Sequence, residues 1–307
     1  MKKIWKYLVG HVDADFNAKQ YALVFTLIAF VLCINYSFDF DDVILKRQRG
    51  LSKFVVYFLF YAVPYYVALS FISDVGKNVF RNKTFWIKSL AGLSALSLDS
   101  SVPYLRDWVS VVFDPAMQLW AYKVIVNLVG ALTILLPLGV IYNHYDRKEK
   151  HYYGLFPKRF DASPYFKMLL IMLPILVAAS FLPSFMKQYP MYRISEAHTL
   201  LNVPEWLTIA IYEFAYGFDF ITVEFLFRGF MVIGMMQFLG RRAVLSMVVI
   251  YCFLHTGKPL GEAISSVFGG YLLGVIAYET KSIWGGVIVH VGIAWMMEVI
   301  GFIQKAL

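Results

Sequence analysis

The sequence predicts an all-α protein, a multi-pass bundle of eight or nine transmembrane helices. Three observations carry that expectation. The 307 residues are 60% hydrophobic and only 16% charged, with 27 Phe and 21 Tyr, a composition that belongs to membrane helical proteins. Apolar runs of about 18 residues or more, the length that crosses a bilayer, recur along the chain. Cys33 and Cys252 lie in separate apolar runs, which leaves no disulfide framework and no CxxC metal or redox motif.

The elements follow in order. The first span covers Tyr21–Phe38, ahead of an acidic-then-basic loop, DFDDVILKRQRG. The second runs Phe54–Ser73 and contains Pro64, a residue that membrane helices tolerate and that is expected to kink this one. Lys77, Arg81 and Lys83 form a basic loop before a weaker third span, Thr84–Leu98. Asp99, Asp107 and Asp114 mark a more acidic loop. The fourth span, Ala116–Tyr142, ends at the most basic stretch, HYDRKEKHYYGLFPKRF, and the fifth is Pro164–Met186. A polar loop with His198 and Asn202 leads into a long sixth segment from Trp206. Spans near Val244–Leu254, Ala263–Tyr278 and Ile283–Ile303 complete the chain. The third and seventh carry the weakest signals, and there is no internal repeat or low-complexity tract.

Net charge is +8, and its distribution orients the bundle. The 143–167 loop holds Arg147, Lys148, Lys150, Lys158, Arg159 and Lys167, whereas the preceding loop holds only Arg106. Arg241 and Arg242 fall on the same side as the basic loop. Basic residues collect in cytoplasmic loops, so the amino terminus, the 143–167 loop and Arg241–Arg242 are expected in the cytoplasm of an integral protein of the cell membrane. Lys46, Arg47, Arg49 and Lys53 run against this orientation. No loop has the length or aromatic interleaving of a nucleic-acid surface. The amino-terminal MKKIWKYLVGHVDADF has charges on both sides of a short apolar patch and no small-residue cleavage site, so it does not read as a signal peptide.

One stretch organises the last third: Asp219–Phe230, DFITVEFLFRGF, inside the predominantly apolar run from Leu207 to Leu239. A charged side chain at mid-bilayer costs at least ~2.5–3.5 kcal/mol, so Glu224 and Arg228 point to a functional site. Their i,i+4 spacing places them on one helix face, where each neutralises the other. Alone, the pair would equally suit an ion pair gluing two helices. Two later apolar segments add His255, in VVIYCFLHTGKP, and His290, in WGGVIVHVGIAW. Between them Gly270 and Gly274 fit the small-xxx-small spacing that lets membrane helices approach closely. Met231, Met235 and Met236 read as core packing, and His144 and His151 as solvated residues of a basic loop.

Glu224-x-x-x-Arg228-Gly229, then Tyr251-x-x-x-His255, then a late intramembrane His290 resemble the CPBP family of intramembrane proteases, which includes the type II CAAX prenyl endopeptidases. The resemblance covers roughly residues 206–303, an expected protease core. Residues 1–205 form an expected second unit of transmembrane helices with no assigned role. The family's first motif has two adjacent glutamates, and here Val223 stands in place of the first. Its second motif has Phe where this chain has Tyr251, and its last motif carries an amide or carboxylate where this chain has Ala294.

The resemblance implies a Glu/His-activated water, an oxyanion held by the last histidine, and a hydrophobic or lipid-modified peptide substrate met within membrane lipids. Carried over by position, the catalytic candidates are Glu224, Arg228, His255 and His290. Asp219, one turn before Val223, is the one carboxylate placed to stand in for the missing glutamate. Losing an oxyanion donor costs ~10²–10³ in turnover and losing a general base ~10²–10⁴. The two departures therefore leave a weakened protease or a family member that binds such peptides without cutting them. A proton-coupled transporter is a third reading of intramembrane Glu, His and Arg, against which the missing inverted repeat speaks. No cofactor is implied and no metal is required, although two histidines and a glutamate are a donor set that zinc accepts.

Overall fold

Apolar segments with polar residues at their starts wind into the helices that frame the molecule. The computed structural model describes residues 2–72 and 79–306; Ser73, the last residue of the expected second span, and Lys77 lie outside them. Helix α1 (Lys2–Asp15) is followed by α2 (Ala18–Phe38), whose first turn is capped by Asn17 accepting from the Gln20 N–H at 3.1 Å, as short polar side chains do at helix starts. Next come α3 (Gly50–Phe71), α4 (Lys83–Ser101), α5 (Leu105–Val112) and the long α6 (Pro115–Asp146). Asn82 caps α4 through the Thr84 and Phe85 N–H groups, and Asp114 caps α6 with Pro115 at its first position. Helix α7 (Ser163–Ala179) leads to α8 (Glu205–Glu224), α9 (Arg242–Leu254), α10 (Leu260–Thr280) and α11 (Trp284–Ala306).

Among the described residues, α2, α3, α6, α10 and α11 are long and apolar enough to cross a membrane. Three details differ from the sequence expectation. The fifth span is not one helix: α7 ends at Ala179 and a short helix, Pro183–Gln188, follows. Leu182 is extended (φ −76°, ψ 134°), because a residue before proline is pushed out of the helical region. Asp99 belongs to no loop. It lies near the end of α4 and accepts from Thr133 Oγ1 of α6 at 2.6 Å. Asp107 likewise lies in α5.

The third difference concerns α9. At 13 residues it is shorter than the ~20 needed to span. Every residue from Ala243 to Phe253 is buried, so α9 is an interior helix wrapped by its neighbours. Its closest partner is α10, and the two glycines singled out by their spacing explain the approach. A Cβ at Gly270 would meet Tyr251 Cδ1 at 2.8 Å, and one at Gly274 would meet Met247 Cε at 2.8 Å. The main core runs from α2, α3 and α4 through α6 to α9 and α10, with Met231 and Met235 inside it. The amino-terminal helices thus share one apolar interior with the motif-bearing helices.

Two polar clusters lock this packing. Lys88 of α4 is fully buried; its Nζ lies 2.5 Å from Asp146 Oδ2 and donates to the Gly234 carbonyl at 2.6 Å. Tyr153 OH and Gln237 Nε2 also donate to Asp146. On a second face Arg242 pairs with Asp15 at 2.5 Å, tying α1 to the start of α9, and Arg241 pairs with Glu279 at 2.5 Å, tying that start to the end of α10. Arg241 also donates to His11 Nδ1 at 3.3 Å. Burial lowers the His11 pKa from the ordinary histidine value against the pull of Asp15, consistent with a neutral ring accepting that bond.

Removing one partner of a buried ion pair costs ~3–5 kcal/mol, because the other charge stays buried and uncompensated. Asp146→Ala is therefore expected to lower the stability of the detergent-solubilised protein by that amount in chemical denaturation. Lys88→Met/Asp146→Leu, which removes both charges, is expected to recover most of the loss.

Candidate functional site

The site is assembled from three neighbouring segments. Helix α8 carries Asp219 and ends at Glu224, where the backbone widens into a π-helical stretch, Phe225–Gly234, that carries Arg228. Such widened turns concentrate at functional sites. Here every residue of the stretch is buried, and its last carbonyl, Gly234 O, finds its partner in Lys88. Tyr251 lies in the last turn of α9 and His255 follows the end of that helix. His290 sits in α11, two turns into the helix.

Glu224 and Arg228 are both fully buried, with Arg228 Nη1 2.9 Å from Glu224 Oε1. The same oxygen lies 3.0 Å from His290 Nδ1. Since a carboxylate accepts, His290 Nδ1 carries the proton and its Nε2 is left as the basic nitrogen. Glu224 reaches α11 because Gly286, one turn before His290, has no side chain: a Cβ there would collide with Glu224 Oε2. Arg228 also lies over the ring of Tyr251, 4.1 Å from its centroid, a cation–π contact that is stronger when desolvated. Its N–H groups have no well-aligned hydrogen-bond acceptor among the described residues, and Glu224 Oε2 likewise has no donor.

Tyr251 joins the two halves. Its ring centroid is 4.7 Å from that of His255 and 6.2 Å from that of His290. His255 Nδ1 lies 2.8 Å from the Tyr251 carbonyl, which can only accept, so this histidine also keeps its proton on Nδ1 and presents a basic Nε2. The turn after His255 is held from α2: Asn35 donates to the Thr256 carbonyl at 2.9 Å and Tyr36 to the Lys258 carbonyl at 2.7 Å. Among the described residues no three His, Cys, Asp or Glu side chains gather at metal-ligand spacing.

The structure brings Glu224, Arg228 and His290 into direct contact and places His255 beside them through Tyr251. Asp219 stands apart. It is within electrostatic reach of Asp99 and Lys258, and its backbone carbonyl takes the Thr222 hydroxyl at 2.7 Å; among the described residues no hydrogen bond or ion pair joins it to His255 or His290. Val223 is buried in the main core, and Ala294 packs in a separate cluster with Tyr192, Tyr212 and Tyr216. Two further acids escaped the reading of motifs, although both interrupt apolar runs and any ionisable group there is a candidate. Glu298 of α11 accepts from the Met191 and Tyr192 N–H groups at 2.6 and 3.2 Å, seating the 189–192 segment. Glu213 of α8 lies beside it, and the two carboxyl groups help line a cavity of about 400 Å³ together with Ile209, Trp295 and Phe302.

Residues 204–296 match the family model described as "Type II CAAX prenyl endopeptidase Rce1-like". The chain therefore carries an Rce1-like domain over that segment, and the Rce1-like family is one of intramembrane endopeptidases. No curated protein and no solved structure matches the chain.

The contact between Gly286 and Glu224 gives a sharp test of the site's geometry. Gly286→Ala is expected to destabilise the purified protein by ~1–3 kcal/mol, the usual cost of overpacking. Gly269→Ala, where an added Cβ meets nothing within 4 Å, is expected to leave stability unchanged or slightly higher, since alanine suits a helix interior better than glycine.

Proposed function

We propose that the chain is a membrane-embedded endopeptidase that hydrolyses hydrophobic or lipid-modified peptides with a water activated by the Glu224–His255–His290 group. One observation carries this reading: both histidines have Nδ1 occupied, one by a carboxylate and one by a carbonyl, so both Nε2 atoms are free for proton transfer. In the proposed sequence His255 Nε2 takes a proton from water as its oxygen bonds to the scissile carbonyl carbon. His290, after taking up a second proton from solvent on Nε2 with Glu224 balancing the charge, donates a hydrogen bond from Nε2 to the oxygen that gains negative charge. The proton held by His255 then passes to the departing amine as the C–N bond breaks. Arg228 restrains Glu224 and balances its charge in the interior.

Val223 and Ala294 bear on rate. Both are buried, and with neither the carboxylate nor the amide at these positions the expected activity is weak. Asp219, with no hydrogen bond or ion pair to either histidine, is proposed to tune the polar patch around Asp99 and Lys258 rather than to serve as the base. The cavity between α8 and α11 supports an apolar substrate: it lies on the same two helices as Glu224 and His290, and the eight residues from His290 to Glu298 advance about 12 Å along α11. The rival reading, a non-catalytic binder of the same peptides, draws on Glu224 being bonded to His290 instead of to His255. Residues 1–205 are proposed as the scaffold of this core in a multi-pass bundle, with the amino terminus and the 143–167 loop in the cytoplasm and the bundle in the cell membrane.

Cleavage of a fluorogenic hydrophobic peptide by the purified protein tests the assignment. His255→Ala and His290→Ala are each expected to lower kcat/KM by ~10²–10⁴, and Val223→Glu to raise it by restoring a carboxylate. Asp219→Asn is expected to leave activity unchanged; its abolition would make Asp219 the base. Cleavage indifferent to both histidine variants would overturn the protease reading. The orientation is tested separately. Lys150→Cys is expected to resist an impermeant thiol reagent on intact cells and to label after the membrane is opened, whereas ready labelling on intact cells would invert the topology.

A further inference from the structure

Helix α1 carries a feature that catalysis does not use. At about 100° per residue, its side chains divide into three faces. One is buried against the bundle: Ile4, His11 and Asp15, with His11 between the rings of Tyr271 and Tyr278 of α10. A second is apolar and exposed: Trp5, Val9 and Val12 are 69%, 40% and 37% accessible and fall within about 60° of one another around the axis, and Phe16, just past the end of the helix, is 57% accessible. The third is polar and exposed, with Lys2, Lys3, Lys6 and Asp13.

We infer that α1 is an interfacial helix whose Trp5–Phe16 stripe inserts into the membrane surface while Lys2, Lys3 and Lys6 contact anionic lipid headgroups. Position supports lipid as the occupant. Only Phe16 and Asn17 separate α1 from α2, the first helix long and apolar enough to cross a membrane. The Asp15–Arg242 ion pair and the contacts of His11 with Arg241, Tyr271 and Tyr278 hold α1 against the ends of α9 and α10. The helix is therefore fixed beside the point where the chain enters the bilayer, with its apolar stripe turned outward. Apolar stripe, adjoining lysines and a tryptophan at the boundary are the features of helices that lie in the interface plane. Charge complementarity selects anionic headgroups, since the lysines of the exposed polar face outnumber its single aspartate. This inference does not depend on the chain being a protease.

The test uses the full protein in lipid nanodiscs with Cys33→Ser, leaving Cys252, which is buried. Spin labels are placed by Val9→Cys, Val12→Cys and Asp13→Cys, and each is challenged with oxygen, which concentrates in lipid, and with a water-soluble nickel chelate. In nanodiscs containing an anionic phospholipid, the labels at positions 9 and 12 are expected to favour oxygen over the chelate several-fold more than the label at 13. That preference is expected to fall in purely zwitterionic nanodiscs and when Lys2→Gln, Lys3→Gln and Lys6→Gln are combined. Equal chelate access at positions 9, 12 and 13 would mean the stripe faces water, and exclusion of both reagents at 9 and 12 would mean a second copy covers it. Either result overturns the inference. A preference unchanged by lipid charge and by the lysine variants overturns its headgroup part.

Discussion

The structure depends on a fully buried ion pair. Glu224 and Arg228 lie at 2.9 Å with no exposure to solvent, where an isolated charge is expensive enough to unfold or reposition a helix. Everything around them answers that cost. Gly286 lets α11 approach closely enough for His290 to share the carboxylate. Tyr251 offers its ring face to the guanidinium, and Gly270 lets α10 close over Tyr251 from the other side. The pair is thus a poor source of net stability and a strong source of specificity: few other arrangements of these helices would leave both charges compensated.

The same constraint explains the role of the amino-terminal helices. A short interior helix such as α9 cannot meet lipid on its own, and α2, α3 and α4 complete the apolar shell around it. They also supply polar contacts that fix backbone near the site. Asn35 and Tyr36 hold the turn after His255, and Lys88 takes the free carbonyl of Gly234 at the end of the widened turns. Residues outside the matched segment thereby contact and position residues inside it, so the match to 204–296 leaves out part of what supports that segment.

Much of this was legible in the sequence, and what was not has physical causes. Apolar runs and Pro/Gly punctuation marked the long helices within a few residues, and charges inside apolar runs marked Glu224, Arg228, His255 and His290. The Gly270/Gly274 spacing forecast a close helix contact, which the structure places between α9 and α10. The break before Pro183 was missed because the run from Met168 to Met186 carries no charge to interrupt it, although X-Pro geometry could have flagged it. Asp99, read as a loop residue, is helical because Thr133 satisfies its carboxylate. The interior position of α9 and the bond from Glu224 to His290 depend on which helices meet, which no single segment encodes. Glu298 went unread because its partners are backbone N–H groups distant in the chain.

The central claim is that Glu224 acts through His290, and a double-mutant cycle tests it most directly. Peptide cleavage would be measured for the native protein, Glu224→Gln, His290→Ala and the two combined, with folding of each checked by thermal melting. Groups that act as a unit are strongly non-additive. If Glu224 orients and charges His290, the double variant will be no slower than the slower single variant. Losses that multiply across the two substitutions would show that the carboxylate and the histidine act independently, and would contradict the shared site.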